Sequence, residues 1–121
     1  MKTILVVDDD EMNLKMARFM LEQNKYDVIT VNSGMDCLKV LNEKKDIDLI
    51  LLDVEMPMMN GIKTLEHIRE QEEFTNIPVM FLTADATEDT VIAAGKLEAA
   101  GYVKKPYMPQ DFLERVENIL R

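Results

Sequence analysis

The stretch Leu49-Ile50-Leu51-Leu52-Asp53 is apolar at every position until it stops at a carboxylate. A strand that is apolar on both alternating faces is typical of a parallel sheet with helices packed on each side. Similar runs occur at Ile4–Val7 and Val79–Leu82, and weaker ones at Asp27–Val31 and Gly101–Val103. The sequence therefore predicts five strands.

Segments with helical spacing of apolar residues follow each predicted strand. Parallel strands need such crossover helices, and right-handed crossovers leave few topologies. The pattern therefore predicts an α/β fold with helices on both faces of the sheet. The apolar positions that mark the helices are Leu14, Ala17 and Leu21; Met35, Leu38 and Leu41 after a possible cap at Ser33; Ile62, Leu65 and Ile68; a segment from Thr87 to Glu98; and Phe112, Val116 and Leu120.

Composition excludes several classes of protein. The 121 residues contain 23 Asp or Glu and 14 Lys or Arg, a net charge of −9, which argues against binding to a phosphate backbone. One cysteine excludes an internal disulfide framework. No apolar run approaches the ~20 residues of a membrane span, and the apolar start is too short for a signal peptide. We expect one soluble cytoplasmic domain.

Polar residues stand where the strands end. Asp8 and Asp9 follow the first strand, Asp53 ends the third, Thr83 ends the fourth and Lys104-Lys105 ends the fifth. Parallel strands bring these ends to one edge of the sheet, where ligands bind in such folds. Clustered carboxylates repel one another, and Mg²⁺ relieves that repulsion. Each acid alone could be a helix cap, but the set favours phosphoryl transfer to a carboxylate.

Four stretches in this order carry a family resemblance: Val6–Asp10, Asp53–Gly61, Leu82–Ala84 and Tyr102–Pro106. Across essentially its whole length the chain resembles a receiver domain of the two-component response-regulator family. The resemblance implies a doubly wound, flavodoxin-like parallel sheet of five strands in the order 2-1-3-4-5, with five helices on both faces. It implies that residues 1–121 form one receiver domain and that this chain has no output domain.

The resemblance also assigns roles at the acidic edge. Asp53 is implied to be the phosphoacceptor, which takes a phosphoryl group from a histidine kinase or a histidine phosphotransfer protein. Asp9 and Asp53 are implied to bind Mg²⁺ directly, together with the backbone carbonyl of Glu55. Asp8 is implied to act on the ion through water.

Further roles follow from the same resemblance. Thr83 and Lys105 are implied to contact phosphoryl oxygens, and the bond between Lys105 and Pro106 is implied to be cis. Tyr102 is implied to be a switch residue that turns inward when Thr83 moves. The face of helix four, strand five and helix five is then expected to engage an effector or form a phosphorylation-dependent homodimer. We expect no direct binding to nucleic acid or membrane.

In this interpretation the chain is not an enzyme and catalyses only its own phosphorylation and dephosphorylation. Two alternatives compete with it. The first is a phosphatase of the haloacid-dehalogenase type, because Asp8 and Asp10 have the spacing of that class. However, Met12 stands where such enzymes have Thr or Val. The second is a constitutive interaction module that has kept the fold without the chemistry.

The chain departs from the family pattern near helix four. Glu98 stands where the family usually has Gly, and helices commonly end on a Gly in the left-handed region. We therefore expect the end of helix four to move towards Gly101. Glu55 and Asp85 occupy the positions that tune the lifetime of the phosphoryl group in this family.

Overall fold

The computed structural model describes residues 1–44, 46–84 and 88–121. Within these residues the chain forms a parallel sheet of five strands in the order β2-β1-β3-β4-β5, which confirms the predicted doubly wound α/β fold. The strands are β1 Thr3–Val7, β2 Asp27–Val31, β3 Leu49–Asp53, β4 Val79–Thr83 and β5 Gly101–Lys104. The helices are α1 Glu11–Gln23, α2 Gly34–Glu43, α3 Gly61–Glu70, α4 Glu88–Lys96 and α5 Pro109–Leu120, with a short 3-10 helix at Glu72–Phe74.

Alternate residues of each central strand enter two separate cores. Leu5 and Val7 of β1 pack on one side of the sheet with apolar residues of α2, α3 and α4. Ile4 and Val6 pack on the other side with α1 and α5. All of Leu49–Leu52 is fully buried, which explains why that run has no polar position.

Side-chain caps start three helices at the carboxyl edge of the sheet. Asp10 accepts a hydrogen bond from the Met12 amide, Ser33 from the Asp36 amide and Asn60 from the Lys63 amide. Such caps satisfy amide groups that have no partner inside the helix. The predicted cap at Ser33 is confirmed.

The end of α4 differs from the sequence prediction. The predicted start at Thr87 lies outside the described residues, but the helix ends at Lys96 rather than moving towards Gly101. Glu98 itself adopts the left-handed conformation, with φ of 56°. The Ala99 amide donates to the Ala94 carbonyl (2.9 Å) and the Glu98 amide to the Gly95 carbonyl (3.3 Å), which is the bond pattern of a Schellman motif. A non-glycine residue therefore occupies the glycine position.

Arg69 fixes the same helix end from α3. Its guanidinium donates to the Leu97 carbonyl at 3.1 Å and to the Ile77 carbonyl at 3.0 Å. Burial lowers the pKa of Arg69, and the attraction of Glu98 opposes that shift. We call this group the Arg69 clasp; its members are Arg69 and the carbonyls of Phe74, Thr75, Ile77, Leu97 and Glu98.

Replacing Glu98 with Gly is expected to raise the free energy of unfolding by about 0.5–1 kcal/mol, because Gly adopts a positive φ without steric cost. Denaturant unfolding measures the change. Glu98→Ala is the control, since it removes the same carboxylate without relieving the backbone. If Ala stabilised the protein as much as Gly, the gain would come from charge and not from conformation.

Candidate functional site

The polar side chains at the strand ends meet at one edge of the sheet. Asp8 directly follows β1, Asp53 is the last residue of β3 and Lys105 directly follows β5. Asp8 is fully buried and Asp53 is 3% exposed, whereas Asp9 is exposed. Two carboxylates are thus withdrawn from water, and a third lies beside them at the surface.

The three carboxylates are close enough to share a metal ion. One oxygen from each of Asp8, Asp9 and Asp53 lies within 4.8 Å of the others. The Glu55 amide donates to Asp53 Oδ1 at 3.3 Å, which brings the predicted fourth ligand residue to the same place. Hard oxygen donors of this kind suit Mg²⁺, so the donor set fits the predicted ion.

Lys105 is shared between the two buried carboxylates. Its Nζ lies 2.8 Å from Asp8 Oδ2 and 3.2 Å from Asp53 Oδ1. Burial lowers the pKa of Lys105, but the hydrogen bond to Asp8 and the attraction of Asp53 outweigh burial, so the pKa lies above its usual value. The ammonium stays charged, yet it balances only half of the charge on two ionised carboxylates.

Asp53 is a weaker acid in this site than a carboxyl group in water. Burial, followed by repulsion from Asp8, raises the pKa of Asp53 to about 7, although Lys105 and the Glu55 amide oppose the shift. A cation bound beside Asp53 would favour its ionised form. The arrangement therefore suits a carboxylate that becomes a nucleophile when a metal ion is present.

Asp8 has a further neighbour that the sequence analysis missed. Its Oδ1 accepts from the Asp10 amide at 3.0 Å, and its Oδ2 lies 3.5 Å from the Tyr107 hydroxyl. Tyr107 is buried, and burial, reinforced by repulsion from Asp8, raises the pKa of its hydroxyl well above the usual value. The hydroxyl is therefore neutral and able to donate. The signal in the sequence was a tyrosine two positions after Lys105.

Thr83 lies at the same edge and is connected to Lys105 through the backbone. It ends β4, is fully buried, and its carbonyl accepts from the Lys105 amide at 2.7 Å. The bond between Lys105 and Pro106 is cis. The structure thus brings Asp8, Asp9, Asp53 and Lys105 into one cluster and places Thr83 at the end of the neighbouring strand.

Tyr102 lies apart from that cluster, on β5. Its side chain is 37% exposed, and the centre of the Arg115 guanidinium lies 6.0 Å from its ring centroid. Arg115 Nη1 also donates to the Tyr102 carbonyl at 3.0 Å. This is an outward position, and the inward turn implied by the resemblance stays a prediction. Asp85, the other position linked to phosphoryl lifetime, lies outside the described residues.

Asp10 does not serve the role that the phosphatase alternative requires. Its side chain caps α1 through the Met12 amide. Among the described residues, the group of three carboxylates contains Asp8, Asp9 and Asp53 and not Asp10. The spacing of Asp8 and Asp10 is therefore accounted for by helix capping.

Without divalent cations, the free energy of unfolding is expected to fall between about pH 4 and pH 7. Asp53 has its raised pKa only in the folded state, so the folded state binds more protons than the unfolded state in this window. Stability contributed by the neutral carboxyl is present at the lower pH and is lost as the pH rises through about 7. Denaturant unfolding in chelator at several pH values tests this. Asp53→Asn should flatten the profile, and an unchanged slope in that variant would contradict the assignment.

No helix in the described part of the chain is long and apolar enough to cross a membrane.

Comparison with known proteins places these features in context. The family model described as the response regulator receiver domain matches residues 4–117. The alkaline phosphatase synthesis transcriptional regulatory protein PhoP of Bacillus subtilis is 38% identical over 120 residues, which cover 99% of this chain and 49% of that protein. The polar-differentiation response regulator DivK of Brucella ovis is 32% identical, with 98% of this chain and 96% of that protein covered.

Solved structures of response regulators have the same fold as this chain. The chemotaxis protein CheY4 of Vibrio cholerae matches with a TM-score of 0.94 at 27% identity and 99% coverage of both chains. A response regulator from Chloroflexus aurantiacus matches with a TM-score of 0.91 at 30% identity, with 98% and 97% coverage. The chain spans about half the length of the first curated relatives, PhoP and a CpxR homolog of Haemophilus influenzae, which the alignments cover to 49% and 51%.

Proposed function

This chain belongs to the response regulator receiver domain family, and from that membership we propose that Asp53 is the side chain that accepts a phosphoryl group. Receiver domains serve as phosphoacceptors in two-component signalling and are signalling modules rather than classical enzymes. The proposal concerns the acceptor residue, its ion and its partners in this protein.

The hydrogen bonds of the two buried carboxylates carry the proposal. Both oxygens of Asp8 are engaged, Oδ1 by the Asp10 amide and Oδ2 by Lys105. Asp53 has two donors among the described residues, Lys105 Nζ and the Glu55 amide. Both of them approach Oδ1 of Asp53. We therefore propose Oδ2 of Asp53 as the oxygen that attacks phosphorus.

The transfer then involves one bond made and one broken. An Asp53 carboxylate oxygen attacks the phosphorus of a phosphohistidine, and the P–N bond breaks with its electron pair kept by the imidazole nitrogen. Thr83 and Lys105 would bind phosphoryl oxygens and offset their charge. Asp8, Asp9, Asp53 and the Glu55 carbonyl would hold Mg²⁺. When bound, that ion offsets charge on the phosphoryl oxygens.

Phosphorylation would also change the conformation. A phosphoryl group carries roughly −1.5 to −2 charges by analogy with other phosphorylated residues. Inverting a 1:99 ratio of conformers requires about 5.5 kcal/mol, and a charge-assisted hydrogen bond contributes on the order of 1.5–3 kcal/mol. The free energy of two new contacts, from Thr83 and Lys105, together with that of the ion is of the size required. Tyr102 would then turn inward and alter the face formed by α4, β5 and α5.

Response regulators interact with kinases and effectors. For this chain, the donor is proposed to be a histidine kinase or a phosphotransfer protein, and the altered face to bind an effector or a second copy. Its own phosphorylation and dephosphorylation are proposed to be the chemistry it promotes. The proposal also includes that residues 1–121 form one receiver domain. It further includes that the protein is located in the cytoplasm.

Treatment with acetyl phosphate and Mg²⁺, followed by peptide mass spectrometry, tests the proposal. We expect the phosphoryl group on Asp53 and no labelling when a chelator removes the ion. Label on Asp8 with turnover of phosphate esters would instead support the phosphatase alternative. No label, together with no Mg²⁺-dependent response to beryllofluoride, an acyl-phosphate mimic, would support a constitutive interaction module.

A further inference from the structure

The fully buried carboxylate of Asp8 shares one oxygen between two donors. Lys105 Nζ lies 2.8 Å from Asp8 Oδ2, and the Tyr107 hydroxyl lies 3.5 Å from the same atom. The shorter contact belongs to the residue that is also paired with Asp53. In the resting protein, Lys105 is therefore the principal partner of Asp8 Oδ2 and Tyr107 is the more distant one.

Tyr107 is held in this position by packing. It lies in the loop between β5 and α5, and only 6% of its surface is exposed. Its ring centroid is 5.0 Å from that of Phe112, a fully buried residue of α5. Lys105 has a long side chain that can turn to a new partner, whereas the Tyr107 ring is fixed in the core.

Phosphorylation of Asp53 would change the position of Lys105 but not that of Tyr107. Lys105 would follow the new charge on the phosphoryl group, while Asp8 would stay buried with one partner fewer on Oδ2. A buried carboxylate that loses one of its hydrogen-bond donors is destabilised. Among the described residues, Tyr107 is the other side chain that donates to Asp8.

We propose that Tyr107 is a positioning residue of the acidic site, whose hydroxyl keeps the Asp8 carboxylate hydrogen-bonded when Lys105 turns to the phosphoryl group. The inference rests on the proposed function, because it requires Asp53 to be the acceptor. It follows that the hydroxyl matters more in the phosphorylated protein than in the resting protein. A phenylalanine at this position would pack equally well and would lack the donor.

Calorimetric titration of Tyr107→Phe with beryllofluoride in saturating Mg²⁺ tests this consequence. We expect the affinity for beryllofluoride to fall about tenfold, the size expected for one lost hydrogen bond to a charged group. The affinity for Mg²⁺ alone should change far less, because without the mimic we expect Lys105 to keep its contact with Asp8. Tyr26→Phe is the matched control, because it removes a hydroxyl that has no contact with the acidic cluster, and it should leave both affinities unchanged.

Fluorine NMR gives a second measurement that a purely structural role would not affect. The sequence has three tyrosines, so 3-fluorotyrosine gives three resonances that single Tyr→Phe variants assign. Beryllofluoride should move the Tyr107 resonance, because its hydroxyl becomes the remaining side-chain donor to Asp8 Oδ2. A Tyr107 resonance that stays in place while the mimic binds would overturn the proposal.

The outcomes separate this inference from the proposed function. If the unaltered protein binds beryllofluoride and Tyr107→Phe binds it equally tightly, the role of Tyr107 is wrong and the acceptor assignment stands. If Tyr107→Phe lowers the free energy of unfolding by the same amount with and without the mimic, the hydroxyl is only a structural donor and the proposed role is wrong. If the unaltered protein binds no mimic, both proposals fail.

Discussion

Asp53→Asn is expected to reduce phosphoryl incorporation from acetyl phosphate by about a thousandfold or more, the range seen when a catalytic nucleophile is removed. The amide has the same shape as the carboxylate, but its oxygen is a poor nucleophile and carries no charge to hold a cation. Quantitative mass spectrometry of the intact chain, with Mg²⁺ present, measures the loss.

The structure provides a matched control for this variant. Asp10→Asn removes an acid from the same edge of the sheet, and Asn caps a helix as well as Asp does. That variant should be labelled at the normal rate. Asp53→Asn should also remain folded, because burial and repulsion from Asp8 disfavour the charge that it removes. Normal labelling of a folded Asp53→Asn protein would disprove the acceptor assignment.

Arg69→Met is expected to lower the free energy of unfolding by about 3 kcal/mol, a large effect for a single substitution. Methionine retains much of the apolar packing of the arginine stem but donates no hydrogen bonds. The five carbonyls of the Arg69 clasp would lose their common donor, and the partly buried carbonyls of Leu97 and Ile77 would each lose a hydrogen bond from a charged group. Denaturant unfolding at neutral pH measures the difference.

Arg18→Met is the control for loss of charge. Arg18 lies on α1 with its side chain 43% exposed, where it pairs with Glu22 four residues later at 3.3 Å and donates to the Thr30 hydroxyl at 3.3 Å. Exposed pairs of this kind contribute little, so the free energy of unfolding should change by about 0.5 kcal/mol or less. Equal losses in the two variants would show that the clasp has no special structural role.

The parts of the fold that were predictable are those controlled by local patterns. The apolar run Leu49–Leu52 identified a doubly covered strand because every position faces one of two cores. Strand ends were visible because Asp53 and Thr83 interrupt such runs. Since parallel strands share one direction, the common location of these residues followed from topology, and the structure places them at one edge.

The features that were missed depend on contacts between distant segments. Tyr107 joins the acidic cluster only because its loop, some hundred residues after Asp8, returns to the same strand edge. Arg69 is one of many charged helix residues until its contacts with the end of α4 are known. The end of α4 was wrongly expected to follow the nearest glycine, since local preference favoured it, whereas the backbone bonds around Glu98 fix the stop earlier.

The Arg69 clasp has a mechanical consequence. Arg69 binds the carbonyls just after α4 at the amino edge of the sheet, which is the edge opposite to the acidic cluster. A helix held just beyond one end is expected to pivot about that end more readily than it slides along its axis. We therefore expect displacement produced near Thr83 to be largest at the beginning of α4 and smallest near Lys96. We therefore expect the Arg69 contacts, together with any change at Thr83, to determine which turns of α4 move.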